Sequence, residues 1–242
     1  MSVRVVFGVA LVTALAGCGG GHVAVKTPAP TPTPPRCATL PRAADVAYAA
    51  VVNRPLAAFR TPGHGRIARF GLRNVNGVDT VFAIRGISCD ARWLRVQLPL
   101  RPNGATGWIP AGRVDRFAVG TRIVVDVSER TVRFYKDGRL VLRSRAAVGA
   151  PATPTPLGRY YVNQRLVPDD PGGPFGPGAI GISAFSPVLT GWAQGGPVAI
   201  HGTNEPWSIG RAVSNGCIRI PNDVDKQLFA QAPAGTPVVI RP

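Results

Sequence analysis

The chain has 242 residues, room for one large domain or two small ones. Apolar residues make up 45% of it and charged residues 17%, which excludes a wholly disordered chain. With 29 Gly and 25 Pro it favours turns, strands and a linker over a helical bundle, and its formal net charge of +16 draws it to polyanions.

Residues 1–17 read as a secretory signal peptide: Arg4 supplies the positive end, and the apolar stretch 5–16 is too short to span a bilayer comfortably. The stretch ends in Leu15-Ala16-Gly17-Cys18, which resembles a bacterial lipobox. That resemblance implies lipidation of Cys18, which becomes the first mature residue, and export to a membrane-anchored position facing the cell wall. Phospholipid headgroups and anionic wall polymers then account for the positive charge, and nucleic acid drops out as a partner. Residues 18–36 carry this cysteine and the Pro-rich run Thr27-Pro28-Ala29-Pro30-Thr31-Pro32-Thr33-Pro34-Pro35. Proline fixes φ and favours extended polyproline II, so the segment reads as a semi-rigid stalk of about 55 Å at most.

Three cysteines remain: Cys37, Cys89 and Cys217. An exported chain tolerates disulfides, and Cys37 and Cys89, both in the first half, are expected to pair. Two buried thiols are the alternative. With no Cys-x-x-Cys and only 3 His, the sequence predicts neither a structural zinc nor any other metal or cofactor.

Residues 37–116 read as a small β domain. Strands are expected at 80–84, 93–98 and 107–109, separated by turns at Pro62-Gly63, Asn76-Gly77 and Asn103-Gly104. Trp93-Leu94-Arg95-Val96, a Gly-containing turn and Gly107-Trp108-Ile109 resemble the end of a bacterial SH3-like barrel. Such a module either binds wall peptide in an aromatic groove or serves as a plain structural barrel.

Residues 119–242 read as a second, mostly β domain. Strands are expected at 121–127, 131–135, from 140 onward, 158–162, 197–200 and 237–240, with a tight Asp137-Gly138 hairpin turn and an irregular loop over 168–177. One helix follows Pro221, with Asn222 as its N-cap and Asp223 and Asp225 in its first turn. Val224, Leu228 and Phe229 share one face of it, and Pro233 and Gly235 mark its end.

The chemistry-bearing residues lie between. Val198-Ala199-Ile200-His201-Gly202-Thr203-Asn204 is followed by Ser214-Asn215-Gly216-Cys217-Ile218-Arg219, with His201 and Cys217 sixteen positions apart. A thiol beside an imidazole makes an activated nucleophile. The imidazole takes the proton, lowers the thiol pKa and later protonates a leaving amine. Ser214, Asn215 and Gly216 form a turn able to aim backbone N–H groups at an oxyanion. Arg219 shares a face with Cys217 on a strand, where it binds a carboxylate or lowers the thiol pKa. A buried free cysteine and a core histidine are the bland reading of the same two residues.

The ordered string decides between the two readings, because it resembles the catalytic motif of the L,D-transpeptidases, the YkuD-type domain. In that family a strand-borne His-Gly is followed by Ser-His-Gly-Cys, one residue and Arg. The hairpin Phe134-Tyr135-Lys136-Asp137-Gly138, Pro154-Thr155-Pro156-Leu157-Gly158 and Gly235-Thr236-Pro237-Val238-Val239-Ile240 extend the resemblance over residues 119–240. It implies a mainly β chain: an SH3-like small barrel, then a β-sandwich-like catalytic domain with one or two short helices. It also implies Cys217 as nucleophile, His201 as base and the Gly202 carbonyl holding the imidazole. The amides of Gly216 and Cys217 form the oxyanion hole, with Arg219 in support. Asn215 stands where the commonest motif has a second His; it cannot titrate, so it orients substrate or structure. Ser214, Asn215, Arg219 and Trp207 are the expected substrate contacts; Trp207 and Trp192 lie in loops flanking His201, where they either line the substrate groove or act as packing anchors.

The activity so implied is acyl transfer between peptidoglycan stem peptides. The cysteine takes the third-residue carbonyl, expels terminal D-Ala and hands the acyl group to a second stem's amine, giving a third-to-third crosslink. It also implies acylation by carbapenems. Rival readings are an L,D-carboxypeptidase using water as acceptor and a non-catalytic wall-binding lipoprotein. A sortase has a different motif, and a papain-like hydrolase places its Cys before its His.

Overall fold

The computed structural model describes residues 37–41 and 45–242; the expected signal peptide, the Cys18 lipidation site and the Pro-rich stalk lie outside them. Short runs of β-branched and aromatic residues, punctuated by Gly and Pro, produce a mainly β chain, as expected.

The first sheet holds seven strands: β1 (Ala47–Val52), β2 (Leu56–Thr61), β3 (His64–Phe70), β4 (Val81–Ile87), β5 (Trp93–Gln97), β6 (Thr106–Pro110) and β7 (Val114–Val119). Their order is β3-β2-β6-β5-β4-β1-β7, every pairing antiparallel, with β3 and β7 as edges. The three expected strands are β4, β5 and β6, and the three glycine turns lie where the sequence puts them. Gly63, Gly77 and Gly104 all have positive φ, at 79°, 75° and 81°. Ala50, Phe82, Leu94, Val96, Leu98 and Ile109 fill the core of this sheet. Cys37 and Cys89 are disulfide-bonded, and Ala38 donates its amide to the Cys89 carbonyl at 3.1 Å. Strand β7 runs past the expected boundary at 116 because its ladder with β1 continues to Ala47↔Val119.

The second sheet has eight strands. They are β8 (Thr121–Asp126), β9 (Thr131–Lys136), β10 (Arg139–Arg145), β12 (Gly158–Leu166), β13 (Ala179–Phe185), β14 (Pro197–His201), β16 (Ile218–Arg219) and β17 (Pro237–Arg241). Two short strands, β11 (Val148–Gly149) and β15 (Ala212–Ser214), pair separately. The order is β10-β9-β8-β17-β12-β13-β14-β16, with parallel pairing only at β17–β8 and β14–β16. The β9–β10 turn has φ of 48° at Asp137 and 77° at Gly138, both positive as a two-residue hairpin requires. Helix α1 (Asn222–Gln231) packs Leu228 into the core beside Ile180, Ile200, Ile218 and Ile220.

Helix α1 corrects one expectation. Its N-cap position is Pro221, without a side-chain cap, and Asn222 is the first helical residue. The Asn222 Oδ1 instead accepts the Thr203 amide at 2.7 Å.

Polar side chains tie the two sheets together. Tyr161 is fully buried and donates its hydroxyl to the Val81 carbonyl at 3.1 Å. Gln97 donates to the Arg159 carbonyl at 2.9 Å. Asn103 meets both backbone groups of Phe185, at 2.8 and 2.9 Å, as a neighbouring strand does. Arg101 donates to the carbonyls of Ser186 and Gly195, each at 2.7 Å. A cleft of about 670 Å³ opens beside these ties, lined by Phe70, Val81, Leu100, Arg101, Phe185 and Pro197.

Two stability outcomes follow. Cys37→Ser opens a loop of 52 residues, and chain entropy predicts a loss of about 4 kcal/mol in denaturant melts against the oxidised parent. Tyr161→Phe keeps the ring but orphans the Val81 carbonyl, so the same melts are expected to show a loss of about 1–2 kcal/mol. An unchanged midpoint in either variant contradicts the corresponding role.

Candidate active site

Strand β14 lies between β13 and β16. The parallel β14–β16 register pairs Ile200 with Ile218 and His201 with Arg219. Ile200 and Ile218 are both 0% exposed and face the core. Alternation then turns Ala199 and His201 of one strand, and Cys217 and Arg219 of the other, to the opposite face. Cys217 lies one residue before Ile218, next to the register position of Ala199. Its side chain and that of His201 share one side of the sheet.

His201 is 3% exposed, and its Nδ1 lies 2.5 Å from the Gly202 carbonyl oxygen. A carbonyl only accepts, so Nδ1 carries the proton and Nε2 keeps its lone pair. The Phe175 ring stands edge-on to the imidazole, centroids 5.1 Å apart. Burial pulls the His201 pKa down to about 4; the Gly202 carbonyl opposes this and the Arg219 charge adds to it. The imidazole is therefore a neutral base across the physiological range.

Cys217 is the one free cysteine among the described residues and is partly exposed. Burial of its sulfur raises the thiol pKa, offset in part by the Ala199 amide and Arg219. The sequence reading expected the imidazole to lower the pKa. In this structure burial wins, and the resting pair is a neutral thiol and a neutral imidazole. Arg219 forms an ion pair with Glu205 across the mouth of the site.

The loop carrying Cys217 is locked internally. The Ser214 hydroxyl donates to the Cys217 carbonyl at 2.6 Å and accepts the Gly216 amide at 3.1 Å. Ser214, an expected substrate contact, is 1% exposed, and its hydroxyl closes the turn. The Gly216 amide, expected to face an oxyanion, is occupied by that hydroxyl. Gly216 has φ 108°, a conformation that disfavours any side chain. The segment from Gly149 to Thr155 supports the loop from behind. Thr155 donates to the Gly216 carbonyl at 3.0 Å, and Thr153 donates to the Ser214 carbonyl at 2.8 Å.

Asn215 is exposed at the tip of the turn. Trp207 and Trp192 are 56% and 54% exposed, and the Arg211 guanidinium lies 5.7 Å from the Trp207 ring centroid. Gly202 has no room for a side chain, since a Cβ there meets Asn222 Oδ1 at 2.3 Å and Pro177 Cδ at 2.8 Å. Five residues near the site escaped the sequence reading as functional groups: Glu205, Phe175, Thr155, Asn222 and Asp225. Of these, Thr155 lay within a family-like motif, and Asn222 and Asp225 stood out as residues at the start of a helix.

Residues 120–240 match the YkuD family, the L,D-transpeptidase catalytic domain. The Bacillus licheniformis protein named as L,D-transpeptidase YkuD is 40% identical over 121 residues, 50% of this chain and 66% of the relative. Its Bacillus subtilis namesake is 35% identical over 129 residues, 53% of this chain and 71% of the relative. Among solved structures, a crystal structure of an Enterococcus faecium L,D-transpeptidase aligns at 30% identity, covering 50% of this chain and 49% of that one, with a TM-score of 0.37. The chain thus spans about two thirds of the length of the two Bacillus relatives. On the family match and these identities, the chain belongs to the YkuD family of L,D-transpeptidase catalytic domains.

Proposed function

We propose that the protein is a peptidoglycan transpeptidase that crosslinks stem peptides through a Cys217 thioester. The observation that carries this reading is the placement of Cys217 on the same sheet face as an imidazole whose Nδ1 is fixed by Gly202. With Nδ1 protonated, Nε2 is the atom free to take the thiol proton.

Substrate binding draws the proton from Sγ to Nε2 of His201, and the thiolate attacks the carbonyl carbon of the third stem residue. The tetrahedral oxyanion takes a backbone donor from the turn, and the Cys217 amide is the group for it because Gly216 already serves Ser214. The C–N bond to terminal D-Ala breaks, and the imidazolium gives its proton to the departing amine. The side-chain amine of a second stem then attacks the thioester, His201 removes the amine's extra proton, and the C–S bond breaks to free the enzyme. The product is a third-to-third crosslink. Water in place of the amine gives an L,D-carboxypeptidase with the same residues.

Arg219, held by Glu205, provides the positive charge beside the site for a stem carboxylate. The exposed rings of Trp207 and Phe175 provide an apolar rim for the peptide. Lipidation at Cys18, the Pro-rich stalk and the net charge of +16 suit an enzyme tethered to a membrane and facing anionic wall polymers.

Incubation of the protein with a disaccharide-tetrapeptide, followed by mass spectrometry, is expected to give a dimer lacking one D-Ala and a transient acyl adduct on Cys217. Cys217→Ala and His201→Ala are expected to abolish both, at least a thousandfold in rate, with the fold intact. Near-parental turnover in either variant sinks the assignment. A tripeptide monomer alone favours the carboxypeptidase.

The pKa directions give a second check. Because burial raises the Cys217 value, the thiolate fraction of the free protein is small at neutral pH and grows as pH rises. Alkylation of Cys217 by iodoacetamide is therefore expected to accelerate about tenfold per pH unit from pH 6 to 8. A plateau below pH 7 indicates a resting thiolate–imidazolium pair instead.

A further inference from the structure

The His201–Gly202 segment is gripped from one direction by the start of helix α1. The Thr203 amide, which follows the Gly202 carbonyl, donates to Asn222 Oδ1 at 2.7 Å. That carbonyl is the one that receives His201 Nδ1. The peptide before Gly202 is held too, because the His201 carbonyl accepts the Ile220 amide at 2.9 Å. Asn222, the first residue of a helix whose N-cap position is Pro221, thus spends its oxygen on this segment.

Asp225 lies three residues on, the spacing that puts two side chains on one helix face. It is 0% exposed, and neither carboxylate oxygen has a partner at full hydrogen-bond geometry. The amides of Gly202 and Gly178 face it and favour the charged form, while burial pushes its pKa up to about 7. A buried carboxyl with no ion-pair partner is costly to keep and calls for a reason. Replacement by an apolar residue serves the core better, yet the acid sits against the glycine that sets the base.

We propose that Asn222 and Asp225 are positioning residues of the acyl-transfer site: Asn222 holds the amide after Gly202, the buried Asp225 carboxyl faces the amide before it, and together they aim the Gly202 carbonyl at Nδ1 and so fix His201 as the Nδ1–H tautomer with Nε2 free. Neither touches substrate. Each acts through Gly202, which has no side chain because Asn222 Oδ1 occupies that space. The assignment rests on the reading of His201 as the base, but its physical core, the tautomer, is measurable without turnover.

The test is 15N NMR of the three imidazoles in the full chain, with the His201→Ala spectrum assigning the His201 signals, alongside stem-peptide kinetics. Asn222→Ala and Asp225→Leu each remove an acceptor. They are expected to turn the single Nδ1–H tautomer of His201 into a mixture and to lower kcat about tenfold with KM within twofold. Asn222→Asp and Asp225→Asn keep an oxygen in place and are expected to restore the tautomer and most of kcat. If Asn222→Ala does not fold, Asn222→Ser, whose hydroxyl stops short of the Thr203 amide, is read the same way. An unchanged tautomer and kcat in the folded Ala and Leu variants, with only a lower melting temperature, assign these residues a purely structural role and overturn the proposal. A shifted tautomer in a protein whose parent shows no acyl transfer upholds the clamp and removes the proposed function instead.

Discussion

The site depends on the two-residue parallel pairing of β14 and β16. Strand β16 consists of Ile218 and Arg219 alone, and its register against Ile200 and His201 links the two halves of the motif directly. A slip of one residue turns Cys217 into the core and Ile218 out of it. What forbids the slip is apolar burial. Ile200, Ile218 and Ile220 are each fully removed from water, worth about 2 kcal/mol apiece. The chemistry on one face is thus registered by hydrocarbon on the other.

Around that pairing the chain spends polar groups on precision. Ser214, Thr153 and Thr155 bond the backbone of the Cys217 loop rather than solvent. The imidazole is anchored to a main-chain carbonyl instead of an acidic side chain. An anchoring carboxylate raises the basicity of its histidine, whereas a neutral carbonyl in a buried setting leaves the ring a weak base. A weak base returns its proton readily, which suits the proposed step in which the same imidazolium protonates a departing amine.

Much of this was legible in the sequence, and the exceptions have physical causes. Asp137-Gly138 and the other glycine turns were readable because positive φ has few solutions. Strands β8, β9 and β17 were readable because Ile, Val and Thr crowd them. Strand β13 was not: Ala179, Gly181, Ser183 and Ala184 give it no alternation, although six of its seven residues are buried. Strands β1 and β3 were also missed, one rich in alanine and the other an exposed edge bearing Arg66 and Arg69. His201, Gly202 and Cys217 stood out as an ordered string. The duties of Ser214 and Asn222 did not, because a hydroxyl or an amide declares a bonding capacity and leaves its partner to the tertiary structure.

Tyr161 makes the second sheet depend on the first. Its ring belongs to the catalytic sheet, but its hydroxyl is satisfied by a carbonyl of the preceding sheet. Asn103 likewise stands in for a missing strand along Phe185. The family match begins at residue 120, yet this chain's copy of that unit is not finished there. Transplanted without its neighbour, it exposes an aromatic face and several unanswered backbone groups. The second sheet is therefore completed by the first, which supplies the acceptors and donors its own strands lack.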